Sequence, residues 1–297
     1  MPPSERAVLV IHGGAGVMPD HDYAEPAAFM AEILERGGRA LRAGGEALDL
    51  VVEMVVAMEA SGLFTAGKGS AANQAGEVEL DASVMTGHDR MAGAVAAVRN
   101  VESPIRLALA VRERTPHVML AGRGAEAFAD QVGLPRISDP ARYYAPAVAR
   151  TARPGAVGAT GPLTHGTVGA VALDRAGRLA AATSTGGTLS KLPGRVGDTP
   201  LVGAATWADA RVAVSCTGQG EYFVRAAAAH DVAARMAYAQ LPLDDAARQV
   251  IDAVGTLGGN GGLIAVDCEG NVAMPFNSGG MKRGVVGLDG KVVVEVY

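Results

Sequence analysis

The stretch HGTVGAVALD, residues 165–174, begins a buried strand directly after a segment that has no regular pattern. Residues 138–165 contain several prolines and glycines without hydrophobic periodicity, which predicts a linker. The run of small and branched apolar residues that follows predicts a strand. Packing alone does not explain why this strand opens on Gly166 and Thr167, a flexible residue and a hydroxyl.

A repeated pattern connects this stretch to a later part of the chain. The sequence ALDRAGRLA, residues 172–180, is echoed by AVDCEGNVA, residues 265–273. In each copy an Asp opens a tight turn and a Gly supplies its left-handed residue, with small or branched residues on both sides. Each copy is therefore predicted to be a β-hairpin whose strands are buried on both faces. Two hairpins of this kind suit a pair of stacked sheets.

Helices are predicted before, between and after these hairpins. Apolar residues recur at helical spacing over 27–41, 47–60, 104–114, 124–132, 222–238 and 244–254, whereas 8–11, 77–85 and 92–98 have strand-like patterns. The predicted fold class is α+β. We expect one domain, residues 1–297, with two stacked, mainly antiparallel sheets between outer layers of helices.

The composition is that of a globular protein without an electrostatic footprint for nucleic acid. The 297-residue chain has a net charge of -5, with 49% hydrophobic and 19% charged residues. Its first apolar run is too short for a secretion signal and no run is long enough to cross a membrane. We therefore expect a cytoplasmic protein without nucleic-acid or membrane partners. Cys216 and Cys268 match no CxxC pattern, and we expect both to be small core residues.

Common catalytic and metal-binding motifs are missing from the sequence. There is no HExxH, P-loop or GxSxG, and the histidines do not fall at metal-ligand spacing, so we expect no metal held by side chains. Residues 122–127 fit the dinucleotide pattern GxGxxA, but no acidic residue ends a second strand about 20 residues later. A tight strand-to-helix connection is the favoured interpretation, and a nucleotide site is the alternative.

Three Thr-Gly clusters are the candidates for catalysis: Gly166-Thr167, residues 183–187 and residues 216–218. Hydroxyls beside glycines suit a place where several donors converge on a developing oxyanion, although each cluster alone is also typical of a turn. In a fourth segment Arg195 stands three residues before Asp198. This pair suits the carboxylate and ammonium ends of an amino-acid-like ligand, or else forms an exposed ion pair.

A series of motifs carries a resemblance over nearly the whole chain: IHGGAG (11–16), GEVELDASVM (76–85), HVMLAGRGAEAFA (117–129), GTVGAVALD (166–174), ATSTGG (182–187), KLPGRVGDTPLVGA (191–204), SCTGQGE (215–221) and GGLIAVDCEGNVAMPFN (261–277). Through them the sequence resembles the plant-type L-asparaginase and isoaspartyl peptidase family of N-terminal nucleophile (Ntn) hydrolases. The resemblance implies a four-layer αββα sandwich. It also implies that the precursor cuts its own Gly166–Thr167 bond into subunits of residues 1–166 and 167–297.

The resemblance also assigns catalytic roles. Thr167 becomes N-terminal and acts as the nucleophile, with its freed α-amino group as the base. Thr185 orients it, and Thr217 with the backbone N–H of Gly218 forms the oxyanion hole. Arg195, Asp198 and Gly218 bind the substrate, whose α-carboxylate and α-ammonium are held by Arg195 and Asp198. The implied activity is hydrolysis of isoaspartyl dipeptides, and of the side-chain amide of L-asparagine, through a β-aspartyl ester.

Further implications concern cofactors, assembly and two departures from the family pattern. The resemblance implies no redox cofactor and no catalytic metal. It does imply a structural Na⁺ on main-chain carbonyls of residues 58–67, and it implies that two cleaved chains assemble as an (αβ)₂ heterotetramer. Thr65 replaces the Asn of FNAG and Thr86 replaces the second Asp of DASVMDG. We expect both to lie near the active site and to affect self-cleavage or leaving-group preference. The alternatives are a non-processing binding protein on the same fold and an aspartylglucosaminidase-like amidase.

Overall fold

The computed structural model describes residues 5–19, 21–144 and 166–297. Residues 145–165, which make up most of the predicted linker and include His165, lie outside these ranges. Within the predicted linker, residues 140–144 are helical.

The larger of the two sheets has eight strands and contains the first predicted hairpin. Its strand order is β12-β11-β1-β5-β6-β2-β3-β4, and neighbours are antiparallel except for β3 and β4. The bounds are β1 Val8–His12, β2 Leu80–Thr86, β3 Ala92–Val98, β4 Met119–Ala121, β5 Val168–Leu173, β6 Leu179–Thr185, β11 Arg283–Gly287 and β12 Val292–Glu295. The hairpin β5–β6 lies near the centre of this sheet, and both of its strands are buried throughout.

The smaller sheet is antiparallel and contains the second predicted hairpin. Its strand order is β10-β9-β8-β7, with β7 Thr206–Ala208, β8 Val212–Gly218, β9 Gly261–Asp267 and β10 Val272–Ala273. Both hairpin turns have the predicted chemistry. Asp174 and Asp267 each accept backbone hydrogen bonds across the turn, and Gly177 and Gly270 have φ of 79° and 83°.

Helices cover the outer face of each sheet and complete the four layers. Against the larger sheet lie α1 Ala24–Arg42, α2 Ala47–Ser61, α3 Pro104–Arg114 and α4 Gly122–Gln131. Against the smaller sheet lie α5 Gly220–Ala226, α6 Ala228–Tyr238 and α7 Leu243–Thr256. One apolar core fills the space between the larger sheet and its helices, and a second joins the two sheets to the remaining helices. The predicted αββα sandwich is therefore confirmed.

Two predictions about these elements were wrong. The expected helix over 222–238 is two helices, because Ala227 adopts a left-handed conformation with φ of 47° between α5 and α6. Cys216 is buried as expected, but Cys268 is exposed because it lies in the turn after β9. The GxGxxA segment forms the tight strand-to-helix connection that we favoured, since Gly122 begins α4 directly after the three-residue strand β4.

No helix in the described ranges combines the length and the apolar character that crossing a bilayer requires.

Glu59 is a buried carboxyl that joins three elements behind the larger sheet. It lies near the end of α2 and accepts hydrogen bonds from Ser103 Oγ at 2.6 Å, Ser184 Oγ at 2.6 Å and the Ile105 N–H at 3.0 Å. Burial raises the pKa of Glu59 to about 7, although the three donors oppose this shift. Ser184 precedes Thr185 in β6, so Glu59 fixes the strand that carries one of the candidate catalytic hydroxyls.

The left-handed residue between α5 and α6 leads to a stability prediction. Ala227 is exposed, so Ala227→Gly removes the strain of its backbone without leaving a cavity. We expect the free energy of unfolding to rise by about 0.5–1 kcal/mol, measured by chemical denaturation. The matched control is Ala253→Gly inside α7, which should lower it by about 1 kcal/mol. Equal losses in the two variants would contradict the assigned conformation.

Candidate active site

The pairing of β5 with β6 brings two of the Thr-Gly clusters together. Val168 pairs with Ser184, so Thr167 lies beside Thr185 at the same end of the hairpin. The Thr167 hydroxyl donates a hydrogen bond to Thr185 Oγ1 at 3.1 Å. Thr185 Oγ1 also accepts the N–H of Gly187 at 3.0 Å. Both threonines are buried, with 6% and 3% of their surface exposed, so this hydroxyl pair is held in one geometry.

His12 holds the backbone of Thr167 and was not among the residues singled out from the sequence. It ends β1, directly opposite Gly169 of β5, and its Nδ1 lies 3.1 Å from the carbonyl oxygen of Thr167. Burial lowers the pKa of His12 to about 3, so the imidazole is neutral. The sequence signal was a histidine that ends an otherwise apolar strand just before a glycine turn.

Thr217 and Gly218 end β8, one of the two inner strands of the smaller sheet. Thr217 Oγ1 accepts the N–H of Ala15 at 3.3 Å, so it is tied to the glycine turn that follows His12. Gly218 has φ of 155°, and a Cβ at that position would meet Asn260 O at 2.5 Å and the Phe223 ring at 2.6 Å. Only glycine fits this position, and the third Thr-Gly cluster is thereby placed beside the segment that contacts Thr167.

Arg195 and Asp198 lie on the loop after β6, next to the start of α5. Arg195 Nε donates to Glu221 Oε1 at 2.9 Å, and its Nη2 lies 2.8 Å from the same oxygen. Gly220 packs closely against both loop residues, because a Cβ there would lie 2.7 Å from Asp198 Oδ1 and 3.1 Å from Arg195 Nη2. The expected cation and anion are therefore neighbours of one glycine. The partner Glu221 was missed, although it ends the motif SCTGQGE.

The loop itself is anchored by a buried acid from the opposite side. The Glu79 carboxylate accepts a hydrogen bond from the N–H of Gly194 at 2.9 Å. The backbone carbonyl of Glu79 accepts a second one from the Lys191 ammonium at 2.8 Å. Lys191 and Glu79 are both buried. These bonds fix the loop at two points just before Arg195.

Asp198 is a buried carboxyl with unused hydrogen-bonding capacity. It is 4% exposed, and its Oδ2 has no hydrogen-bond partner among the described residues. Burial raises its pKa to about 7, and the Arg195 charge only partly opposes this. An Arg195 Nη2 proton also lacks an aligned acceptor within the described part of the chain. The site therefore offers both a cation-binding and an anion-binding group side by side.

Thr65 contacts the residue before the candidate nucleophile. A Cβ at Gly166 would lie 2.2 Å from Thr65 Oγ1 and 2.8 Å from the Thr65 nitrogen. The Thr65 carbonyl accepts the N–H of Gly186 at 2.8 Å. The departure at position 65 therefore lies in the site, and the close contact explains why position 166 is glycine.

Thr86 lies elsewhere, contrary to expectation. Asp81 of β2 pairs with Thr185, whereas Thr86 pairs with Ala180, five residues further along, or roughly 17 Å away. The Thr86 hydroxyl accepts a hydrogen bond from Arg112 at 2.7 Å, and Arg112 also contacts Asp89. Because Asp89 supplies a carboxylate to Arg112, the departure at position 86 affects a remote turn.

Within the described ranges, no group of three or more His, Cys, Asp or Glu side chains is arranged to hold a metal ion.

Comparisons with known proteins identify the family of the chain. A family model described as Asparaginase matches residues 5–295. The chain belongs to the asparaginase family. It is 50% identical over 295 residues to an isoaspartyl peptidase of Salmonella typhimurium, covering 94% of each chain. It is 48% identical over 298 residues to an isoaspartyl peptidase of Escherichia coli, covering 94% of this chain and 92% of the relative. An isoaspartyl peptidase/L-asparaginase of Danio rerio is 39% identical over 276 residues, covering 91% and 89%.

The unpaired Asp198 carboxyl leads to a pH-dependent stability prediction. Its folded-state pKa of about 7 exceeds the ordinary value of 3.8, so its contribution to stability is fully present below about pH 4 and is lost as the pH rises through 7. Asp198→Asn removes this loss. We expect its melting temperature to exceed that of the wild type by about 2–4 °C at pH 8, with the difference vanishing below about pH 4.

The control for this prediction is Asp245→Asn, which makes the same charge change at an exposed position of α7. Its melting temperature should track that of the wild type across the pH range. A gain for Asp198→Asn that does not change between pH 4 and pH 8 would contradict the assignment to this carboxyl.

Proposed function

We propose that the protein is an amidohydrolase that hydrolyses β-aspartyl (isoaspartyl) dipeptides and the side-chain amide of L-asparagine, with Thr167 as nucleophile. The observation that carries the proposal is the buried hydrogen bond from Thr167 Oγ1 to Thr185 Oγ1 at the start of a central strand. The isoaspartyl peptidases of two bacteria, similar along nearly the whole chain, support the substrate class.

Self-cleavage is the first step of the proposed mechanism. Thr167 Oγ attacks the carbonyl carbon of Gly166, the Gly166–Thr167 C–N bond breaks, and the acyl group moves from nitrogen to oxygen. Water then hydrolyses the ester. The products are residues 1–166 and 167–297, and the second begins with a free α-amino group. The contact between Gly166 and Thr65, which leaves no room for a side chain, supports this step.

In turnover the new N-terminus supplies both nucleophile and base. An α-amino group has an ordinary pKa of about 7.7–8.0, so a large fraction is neutral near pH 8 and able to accept the hydroxyl proton. Thr167 Oγ attacks the β-carbonyl carbon of the substrate, the amine or ammonia departs with a proton, and water hydrolyses the β-aspartyl ester. Thr217 and the Gly218 N–H are the proposed donors to the oxyanion.

Asp198 and Arg195 give the proposed preference for a free aspartyl head group. The buried Asp198 carboxyl has an unused oxygen for the α-ammonium, and the Arg195 guanidinium suits the α-carboxylate. Gly220 lies against both groups, and a side chain at this position would crowd them. An N-acylated aspartyl peptide would lose the interaction with Asp198.

A structural cation on residues 58–67 is a further part of the proposal. The resemblance implies this ion, and main-chain carbonyls are suitable ligands for a hard cation such as Na⁺. When bound, the ion would hold the loop that carries Thr65. A cytoplasmic location is also proposed, and so is an (αβ)₂ assembly, which the resemblance implies.

A second candidate function is that of a binding protein that does not process itself. The observation in its favour is Thr65, which replaces an amide at the residue in contact with Gly166. A β-aspartyl ligand would then be held by Arg195 and Asp198 without being hydrolysed.

The deciding experiment is the intact mass of the denatured protein, fresh and after one day at 37 °C, combined with an assay for amine release from β-Asp-Leu. We expect two fragments, ending at residue 166 and beginning at residue 167, and a turnover that requires them. Thr167→Ala should remain one chain and release nothing. An uncut wild-type chain that binds β-Asp-Leu without releasing leucine would favour the binding protein, and a processed, active Thr167→Ala would refute the nucleophile.

Gly166→Ala tests the contact with Thr65. Because its Cβ would collide with Thr65, the backbone at the scissile bond must shift, and we expect self-cleavage to slow by about 100-fold or more. The control is Gly124→Ala in α4, where a Cβ would meet no atom within 4 Å. Its cleavage rate should equal that of the wild type, both followed by denaturing electrophoresis. Unchanged cleavage in Gly166→Ala would show that the contact has no part in processing.

A further inference from the structure

A continuous line of polar side chains runs through the otherwise apolar space between the two sheets. We call these residues the buried hydroxyl chain: His12, Ser215, Thr183, Thr206 and Ser83, each with 0% of its surface exposed. Successive polar atoms are 2.9, 2.8, 2.6 and 2.7 Å apart in that order. None of the five residues has a role in the proposed reaction steps.

The two ends of the buried hydroxyl chain reach both halves of the active site. At one end His12 Nδ1 lies 3.1 Å from the carbonyl oxygen of Thr167. At the other end Ser83 Oγ donates to the carbonyl oxygen of Thr199 at 2.6 Å. Thr199 directly follows Asp198, so the chain connects the nucleophile to the loop that carries the proposed ligand-binding pair.

The direction of the hydrogen bonds follows from the acceptor at the first end. A carbonyl oxygen only accepts, so His12 carries its proton on Nδ1, and the neutral ring accepts the Ser215 hydroxyl at Nε2. Ser215 then accepts from Thr183, Thr183 from Thr206 and Thr206 from Ser83. Ser83 has one hydroxyl proton, which is shared between Thr206 Oγ1 and the Thr199 carbonyl oxygen in a three-centre hydrogen bond. Both ends are carbonyl oxygens, which cannot pass a proton on. The chain therefore holds groups in place and does not conduct protons.

The chain crosses between the sheets next to the catalytic residues. Thr183 of β6 and Ser215 of β8 face each other from different sheets, and each stands two residues before a candidate catalytic threonine, Thr185 or Thr217. Residues two apart on a strand share a face. Apart from this chain, the core cluster that joins the two sheets consists of apolar side chains, whose contacts have little directional preference.

We propose that the buried hydroxyl chain fixes the placement of one sheet against the other and so aligns Thr167 and Thr185 with Thr217. His12, Thr183 and Ser215 are then positioning residues for self-cleavage and turnover. The kinetic part rests on the proposed function, whereas the hydrogen-bond pattern stands on its own.

The test compares two variants of one residue. Thr183→Val keeps the shape of the side chain and removes the hydroxyl, whereas Thr183→Ser keeps the hydroxyl and removes a methyl group. We expect Thr183→Val to lower kcat and the rate of self-cleavage by about tenfold with KM within twofold, and Thr183→Ser to stay within twofold of the wild type. Equal losses in the two variants, or full activity in Thr183→Val, would overturn the proposal.

The control is Thr86→Val, which removes a buried hydroxyl from the same sheet at the remote end of β2. Its kcat should stay within twofold of the wild type even if its melting temperature falls, which separates positioning from general stability. A loss of kcat in Thr86→Val as large as that in Thr183→Val would overturn the proposal.

A second readout does not depend on activity. The ¹⁵N spectrum of histidine-labelled protein should show His12 protonated at Nδ1 and bare at Nε2, and Thr183→Val should shift the Nε2 signal whereas Thr86→Val should not. A proton on Nε2 would overturn the assigned direction. If the wild type neither cleaves itself nor releases leucine from β-Asp-Leu, the proposed function fails. The ¹⁵N shifts of His12 then decide on their own whether the buried hydroxyl chain is hydrogen-bonded as assigned.

Discussion

The position of β5 between β1 and β6 is the constraint on which the rest of the site depends. Its register sets Gly169 opposite His12 and Val168 opposite Ser184, so Thr167 meets an imidazole on one side and a hydroxyl on the other. Shifting either pairing by one residue would turn the alternate side chains to the opposite face of the sheet. The small residues of the hairpin allow the two sheets to approach closely there, and a Cβ at Gly169 would collide with both His12 and Ser215.

The layered fold could be predicted from the sequence because hairpin turns and helical periodicity are local signals. The break at Ala227 could not, since nothing in a run of alanines marks one residue as left-handed. His12 and Ser215 come from distant parts of the chain and have no spacing pattern, so only the stacked sheets bring them together. Thr86 was misplaced because a motif fixes sequence neighbours and does not say at which end of a strand they lie.

Burial pushes the titratable groups around the threonines towards their neutral forms. The pKa of His12 falls to about 3, and the pKa values of Glu59 and Asp198 rise to about 7. The neutral form of His12 suits its neighbour, because Nδ1–H donates to a carbonyl. The donors around Glu59 and the Arg195 charge beside Asp198 favour the ionised carboxylates, but burial outweighs them. On the proposed function, an arriving ammonium would favour ionised Asp198, so ligand binding and deprotonation of this carboxyl would be linked.

The strand order of the larger sheet determines how the two fragments would stay associated after a cut at Gly166–Thr167. Strands β12, β11, β5 and β6 follow that bond in sequence, whereas β1, β2, β3 and β4 precede it, and in the sheet the two groups alternate. Neither fragment contains the complete larger sheet, although the second contains all four strands of the smaller one. The fragments would stay joined by their ladders of backbone hydrogen bonds, but after denaturation two separate chains would have to find each other again. A protein of this design is assembled once, as a single chain, and its persistence afterwards is governed by the rate of unfolding.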